Sequence, residues 1–190
     1  MKVVLASASP RRKELMEMLG VQDLEIIPAK GEEIAPENVG PDELVKILSA
    51  QKAAEVAALG HEEDIVIGAD TIVWAHGRVY GKPKTELEAK EMLQSLSGYT
   101  HEVYTGVTVI KGGQQISRAE MSRVSFRELD EREIDAYIAS KEPMDKAGAY
   151  GAQGKAALFV RGIEGDFFNV MGLPLCCLGE MLKEQGVVIL

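Results

Sequence analysis

Ser7-Ala8-Ser9-Pro10-Arg11-Arg12 is the segment whose residue types bear most directly on chemistry. It follows a short apolar, β-branched run, and its proline suits the first position of a helix, so the spacing predicts a strand, a tight turn and a helix. The amino end of a helix attracts anions through its backbone N–H groups and its dipole. Two arginines in the first turn oppose that dipole unless an anion sits between them, and guanidinium offers the planar fork that suits phosphate oxygens. A capped helix with solvated arginines is the competing reading; the charge repulsion favours phosphate binding.

Other candidates are scattered along the chain. Asp70 ends the apolar run 65–69. A carboxylate at the carboxyl end of a central strand can hold a metal or take a proton from water. Asp70-Thr71 reads equally well as a turn. Glu32 and Glu33 lie in a polar loop and, taken alone, read as solvated, as does Lys52 in an alanine-lined helix. Lys82, pinned between Gly81 and Pro83, is better placed to be held rigidly. Gln153, among the glycines of the irregular stretch 141–154, could present its amide to a base edge or only to solvent. His101 reads as a structural hydrogen-bonding residue, Trp74, Tyr80 and Tyr104 as packing residues, and 169–174 as a turn into the last helix.

The elements that must position these residues follow from periodicity and punctuation. Strands are expected at 3–6, 24–27, 65–69, 157–163 and 187–189, with a hairpin from 73 to 81 and two long strands either side of Gly112-Gly113. Helices are expected from Pro10 to Gly20 with Ser9 as cap, from Pro41 to Gly60, from the Thr85 cap to 96, from the Asp130 cap to 140, and over 173–185. The second helix should bury Leu44, Ile47, Leu48, Ala54 and Ala58. Alternating strands and helices with an added hairpin imply an α/β fold on a mixed, twisted sheet. No linker or repeat divides residues 1–190, which read as one domain; any split into lobes should fall near the hairpin.

Composition excludes several classes. The chain has 190 residues, of which 46% are hydrophobic, enough for a well-buried core. Its net charge of −9 disfavours a nucleic-acid backbone as partner, and 5% aromatics disfavours stacking on single strands. Cys176 and Cys177 are adjacent, so they build neither a disulfide framework nor zinc spacing, and they read as buried helix residues. No apolar run approaches membrane-span length and the start is too short for a signal peptide, so a soluble, cytoplasmic protein is expected.

Taken in order, the segments resemble the Maf family of nucleotide pyrophosphatases. They are 5–12 (Leu-Ala-Ser-Ala-Ser-Pro-Arg-Arg), Glu32-Glu33, Gln51-Lys52-Ala53, 68–71 (Gly-Ala-Asp-Thr) and Gly81-Lys82-Pro83. Ser97-Gly98 with His101 and Thr105-Gly106, the loop 145–154 and the turn 169–174 complete the set. The resemblance implies hydrolysis between the α and β phosphates of a nucleoside triphosphate, with a divalent metal (Mg²⁺, Mn²⁺ or Co²⁺). It also implies an elongated, two-lobed α/β fold like that of Maf and ITPase proteins, with a central cleft, and a homodimer. Ser7, Arg11, Arg12, Lys52, Lys82 and Gln153 match its nucleotide-contacting positions; Glu33 and Asp70 match its acidic catalytic and metal-binding positions. The loop around Gln153 looks like the branch that prefers dTTP and UTP, with Ala152 where a bulkier aliphatic residue is usual. The alternatives are the branch acting on 7-methyl-GTP, or a catalytically silent nucleotide-binding regulator of cell division.

Overall fold

The computed structural model describes residues 2–21, 23–61, 63–187 and 189. Its strands are β1 (Val3–Leu5), β2 (Leu24–Ile26), β3 (Ile65–Ala75), β4 (Arg78–Tyr80), β5 (Thr100–Lys111), β6 (Gln114–Phe126) and β7 (Val160–Glu164). The helices are α1 (Pro10–Met18), α2 (Pro41–Ala57), α3 (Glu86–Leu96), α4 (Glu131–Ala139), α5 (Phe167–Met171) and α6 (Leu175–Glu184). The strands form one sheet in the order β2-β1-β3-β5-β6-β7, with β4 paired to β3. β1 lies parallel to β2 and β3, whereas β3–β4 and β6–β7 are antiparallel, so the sheet is mixed.

Local chemistry accounts for most of these elements. Ile65, Val66 and Ile67 are buried, the near-continuous apolar pattern of a strand covered on both faces. His76-Gly77 and Gly112-Gly113 all have positive φ, the conformation a two-residue hairpin turn requires. The Thr85 side chain accepts the Glu88 N–H, and Asp130 and Glu133 form a reciprocal capping box at α4.

The chain divides into two compact units. The first comprises Met1–Asp70, Thr105–Glu120 and Gly172–Leu190; the second comprises Thr71–Tyr104 and Met121–Met171. In the first, Val4, Ala6, Ala53, Val56, Ala57, Val66 and Ile110 form an apolar cluster between α2 and the sheet. In the second, Leu93 and Leu96 of α3 and Ile134 and Ile138 of α4 pack with Phe126, Tyr137, Tyr150 and Phe159.

Several expectations change. The strand expected to end at Ala69 continues through Asp70 to Ala75, because pairing with β4 over Val73–Ala75 outweighs the turn preference of Asp-Thr. The buried face of α2 is Val45, Leu48, Ser49, Ala53, Val56 and Ala57, not the face through Leu44, Ile47 and Ala54. Apolar residues on nearly every side of that helix leave its phase open, and packing selects it. Lys155–Leu158 closes a 3-10 turn, so β7 starts at Val160, later than expected. The turn expected at 169–174 is partly the short helix α5. Cys177 is buried as expected but Cys176 is exposed. Ser9 occupies the N-cap of α1, yet its side chain makes no capping bond. The final strand expected at 187–189 includes Val188, which lies outside the described residues; Val187 and Ile189 carry no strand.

Candidate active site

The first unit is organised around the seat of α2 on the sheet. A Cβ added to Gly68 would overlap the Ser49 carbonyl oxygen and lie 2.8 Å from the Ala53 nitrogen; one added to Gly106 would overlap the Val45 carbonyl. Two glycines, one on β3 and one on β5, thus let successive turns of the helix approach the strands at backbone distance. A buried bond of 2.9 Å between Ser49 Oγ and Thr108 Oγ1 ties the same face of the helix to β5. Gly68 and Asp70 are two residues apart on one strand and share a face.

That seat carries Lys52 to Asp70. Lys52 Nζ donates to Asp70 Oδ1 at 2.5 Å and pairs with Glu33 Oε1 at 3.0 Å. Asp70 is only 8% exposed, and the Lys52 side chain is 16% exposed against 51% for Glu33. One ammonium therefore joins a buried strand carboxylate to a loop carboxylate; the reading of a solvated residue fails for Lys52, whereas Glu33 is exposed as expected and gains an ion pair. Burying the lysine stem costs little because it is methylene, and the charge is matched by two acidic partners. Glu32, the other half of the acidic pair, is exposed. Asp70 lies three residues beyond Ile67, where the parallel register with β1 ends at Leu5. It is thus at the carboxyl end of that pairing although it is inside β3.

Arg12 comes to the same group from α1. Its Nε donates to the Gly172 carbonyl at 2.7 Å and its Nη1 to Ser7 Oγ at 3.3 Å. Ser7 Oγ also accepts the Ser9 N–H at 3.2 Å, so the buried serine organises the turn before the helix. Burial lowers the Arg12 pKa and neighbouring Arg11 adds to the shift, while Asp70 and Glu33 oppose it. The guanidinium stays charged at any ordinary pH. Arg11, partly exposed in the same turn, adds positive charge beside it. Ser7, Arg11, Arg12, Glu33, Lys52 and Asp70 are thus gathered in one unit, four from residues anticipated as a phosphate-binding set and two as carboxylates.

The loop that brings Glu33 is fastened to α2. Glu55 accepts the Lys30 N–H at 2.7 Å and the Gly31 N–H at 3.0–3.1 Å. Gln51 accepts the Ile34 N–H at 3.0 Å and donates to the Ile34 carbonyl at 2.8 Å. Glu55 did not stand out in the sequence, and Gln51 appeared only as the neighbour of Lys52 in a matching segment. The available signal was their i, i+4 spacing beside Lys52, but it does not say what either side chain would reach. The role of the Gly172 carbonyl was likewise invisible, since a main-chain acceptor leaves no trace in residue type.

Lys82 and Gln153 belong to the second unit, and both are exposed. Their loops are joined there, because the Gly148 N–H donates to the Gly81 carbonyl at 3.0 Å. Gly148 has φ of +68° and a Cβ there would lie 2.8 Å from Val73, so the loop needs glycine on both counts. Behind it, His101 Nε2 lies 2.8 Å from the Tyr150 hydroxyl, the structural bond anticipated for this histidine. Burial pushes the His101 pKa down to about 4, with nearby His76 contributing, and burial pushes the Tyr150 phenol up.

Among the described residues, no three or more His, Cys, Asp or Glu side chains are grouped to hold a metal. The acidic donors that converge are Glu33 and Asp70. This set fits a hard cation that keeps waters and takes its remaining oxygens from a phosphate ligand, as Mg²⁺ does; it does not fit a closed zinc cage. Among the described residues, no helix is long and apolar enough to cross a membrane.

Comparison with known proteins places the chain in a family. A dTTP/UTP pyrophosphatase of Bacillus cereus is 53% identical over 186 residues, covering 98% of this chain and 96% of the relative. One of Bacillus thuringiensis subsp. konkukian is 52% identical with the same coverage. A solved structure of a HAM1 protein from Coxiella burnetii matches with a TM-score of 0.53 and 18% identity, covering 97% of this chain and 99% of that one, which supports the α/β fold. The profile of the family described as Maf-like protein matches residues 2–185, and the chain belongs to the Maf family.

Proposed function

We propose that this chain is a nucleoside triphosphate pyrophosphatase that hydrolyses dTTP and UTP between the α and β phosphates, releasing the monophosphate and pyrophosphate. The observation that carries this reading is the Lys52 ammonium seated between Asp70 and Glu33, with Arg12 electrostatically coupled to both carboxylates. Identity above one half over nearly the whole length to relatives named for that activity supports the substrate pair.

A triphosphate carries about four negative charges and repels a nucleophile until they are offset. Arg11, Arg12 and Lys52 supply cations for that purpose, and the family resemblance gives Lys82 the same task. Ser7 contributes a hydroxyl, and Gln153 is assigned to the base. Asp70, held in place by Lys52, accepts the proton of the attacking water, and Glu33 is the other carboxylate able to do so. Glu33 and Asp70 would hold the divalent ion, Mg²⁺, Mn²⁺ or Co²⁺, which when bound supplies charge neutralisation on phosphate oxygens. A silent binder would need the cations without two paired carboxylates, so the site favours an enzyme. A homodimer in the cytoplasm belongs to the same proposal, and light scattering reads the first part of it.

The test is steady-state turnover on a nucleotide panel with each metal, quantifying pyrophosphate against orthophosphate. Pyrophosphate with dTTP and UTP ahead of the panel is the expected result. Faster turnover of 7-methyl-GTP would reassign the substrate, and orthophosphate as product would overturn the reaction.

A further inference from the structure

We infer that Gln51 and Glu55 are positioning residues for the reaction, holding Glu33 at its distance from Lys52 and Asp70; the inference rests on the reading of Glu33 as a working carboxylate. Residues 30–35 are all exposed, so no buried side chain fixes this stretch. Its place is set by polar bonds on either side of Glu33. Before it, the Glu55 carboxylate collects the N–H groups of Lys30 and Gly31. After it, the Gln51 amide satisfies both main-chain groups of Ile34, as a neighbouring strand would.

Gln51 and Glu55 stand one turn apart on α2, and Lys52 lies between them in sequence. The helix that delivers Lys52 to Asp70 therefore also measures the position of Glu33. A carboxylate acceptor suits two successive N–H donors, because charge-assisted bonds hold better in water than neutral ones. An exposed loop tied this way opens locally once the ties are cut, while the core beneath it stays folded.

The test uses the full chain with Gln51→Ala/Glu55→Ala, Glu55→Gln, Glu33→Gln and the triple variant. The double variant should lose amide-exchange protection at Lys30, Gly31 and Ile34 and lower kcat by about 10- to 100-fold, the scale of an ångström misplacement. Glu55→Gln, which keeps one acceptor oxygen, should retain more of both. In the Glu33→Gln background the double substitution should cost nothing further, since both act through one group. Wild-type turnover in the double variant beside a large loss in Glu33→Gln overturns the inference alone. So does a loss that multiplies with that of Glu33→Gln. Wild-type turnover in Glu33→Gln instead removes the reading beneath it.

Discussion

Lys52 has two acidic partners, and a triphosphate would compete with both for its ammonium. Removing one carboxylate charge therefore does more than delete a base; it leaves the lysine more available to phosphate. Asp70→Asn is expected to lower kcat by about 10²- to 10⁴-fold, the range for a positioned general base, while nucleotide affinity measured by calorimetry without divalent metal is kept or improved. Undiminished turnover would take Asp70 out of the reaction. Reading these residues from sequence was uneven. Arg12 declared itself by an electrostatic conflict at a helix start, whereas Lys52 and Glu33, taken alone, looked like solvated residues and only the family resemblance singled them out; packing sets them 3.0 Å apart.

At the scale of elements, α2 is the part on which the site depends. It rests on Gly68 and Gly106, joins β5 through Ser49 and Thr108, points Lys52 at Asp70 and anchors the Glu33 loop. Gly106→Ala would press a methyl group into the Val45 carbonyl, and overpacking of this kind costs about 1–3 kcal/mol. The expected outcome is a lower denaturation midpoint in urea with the slope unchanged; no change in midpoint would mean that the helix shifts freely. The helix itself was legible from Pro41 to Gly60, but its buried face was not. Leu44, Val45, Ile47 and Leu48 offer two overlapping apolar faces, and only contact with the two glycines decides between them.

For the whole molecule, the buried His101 makes stability depend on pH. Its pKa is near 4 when folded and near 6.5 when unfolded, so between those values the unfolded chain binds more protons. Its contribution is complete above about pH 6.5 and is lost as pH falls toward about 4, by about 3 kcal/mol at most. His101→Phe should flatten the pH dependence of the urea midpoint across that window; an unchanged slope would show that other groups carry it.

Residue order alone determined that this is an α/β chain with a mixed sheet, where most caps and turns fall, and that Arg11 and Arg12 stand in electrostatic conflict with a helix start. Those are local matters: a proline or glycine restricts its own backbone, a cap satisfies its own turn, and a charge conflict is visible between neighbours. Lys52 and Glu33 entered the candidate site only through the family resemblance. Tertiary structure alone decided that β3 runs through Asp70, which face of α2 is buried, that Gly172 lends its carbonyl to Arg12, and that Gln51 and Glu55 hold the loop carrying Glu33. Each of those depends on groups distant in sequence, whose meeting is set by how closely a helix can approach a sheet rather than by any preference of the residues themselves.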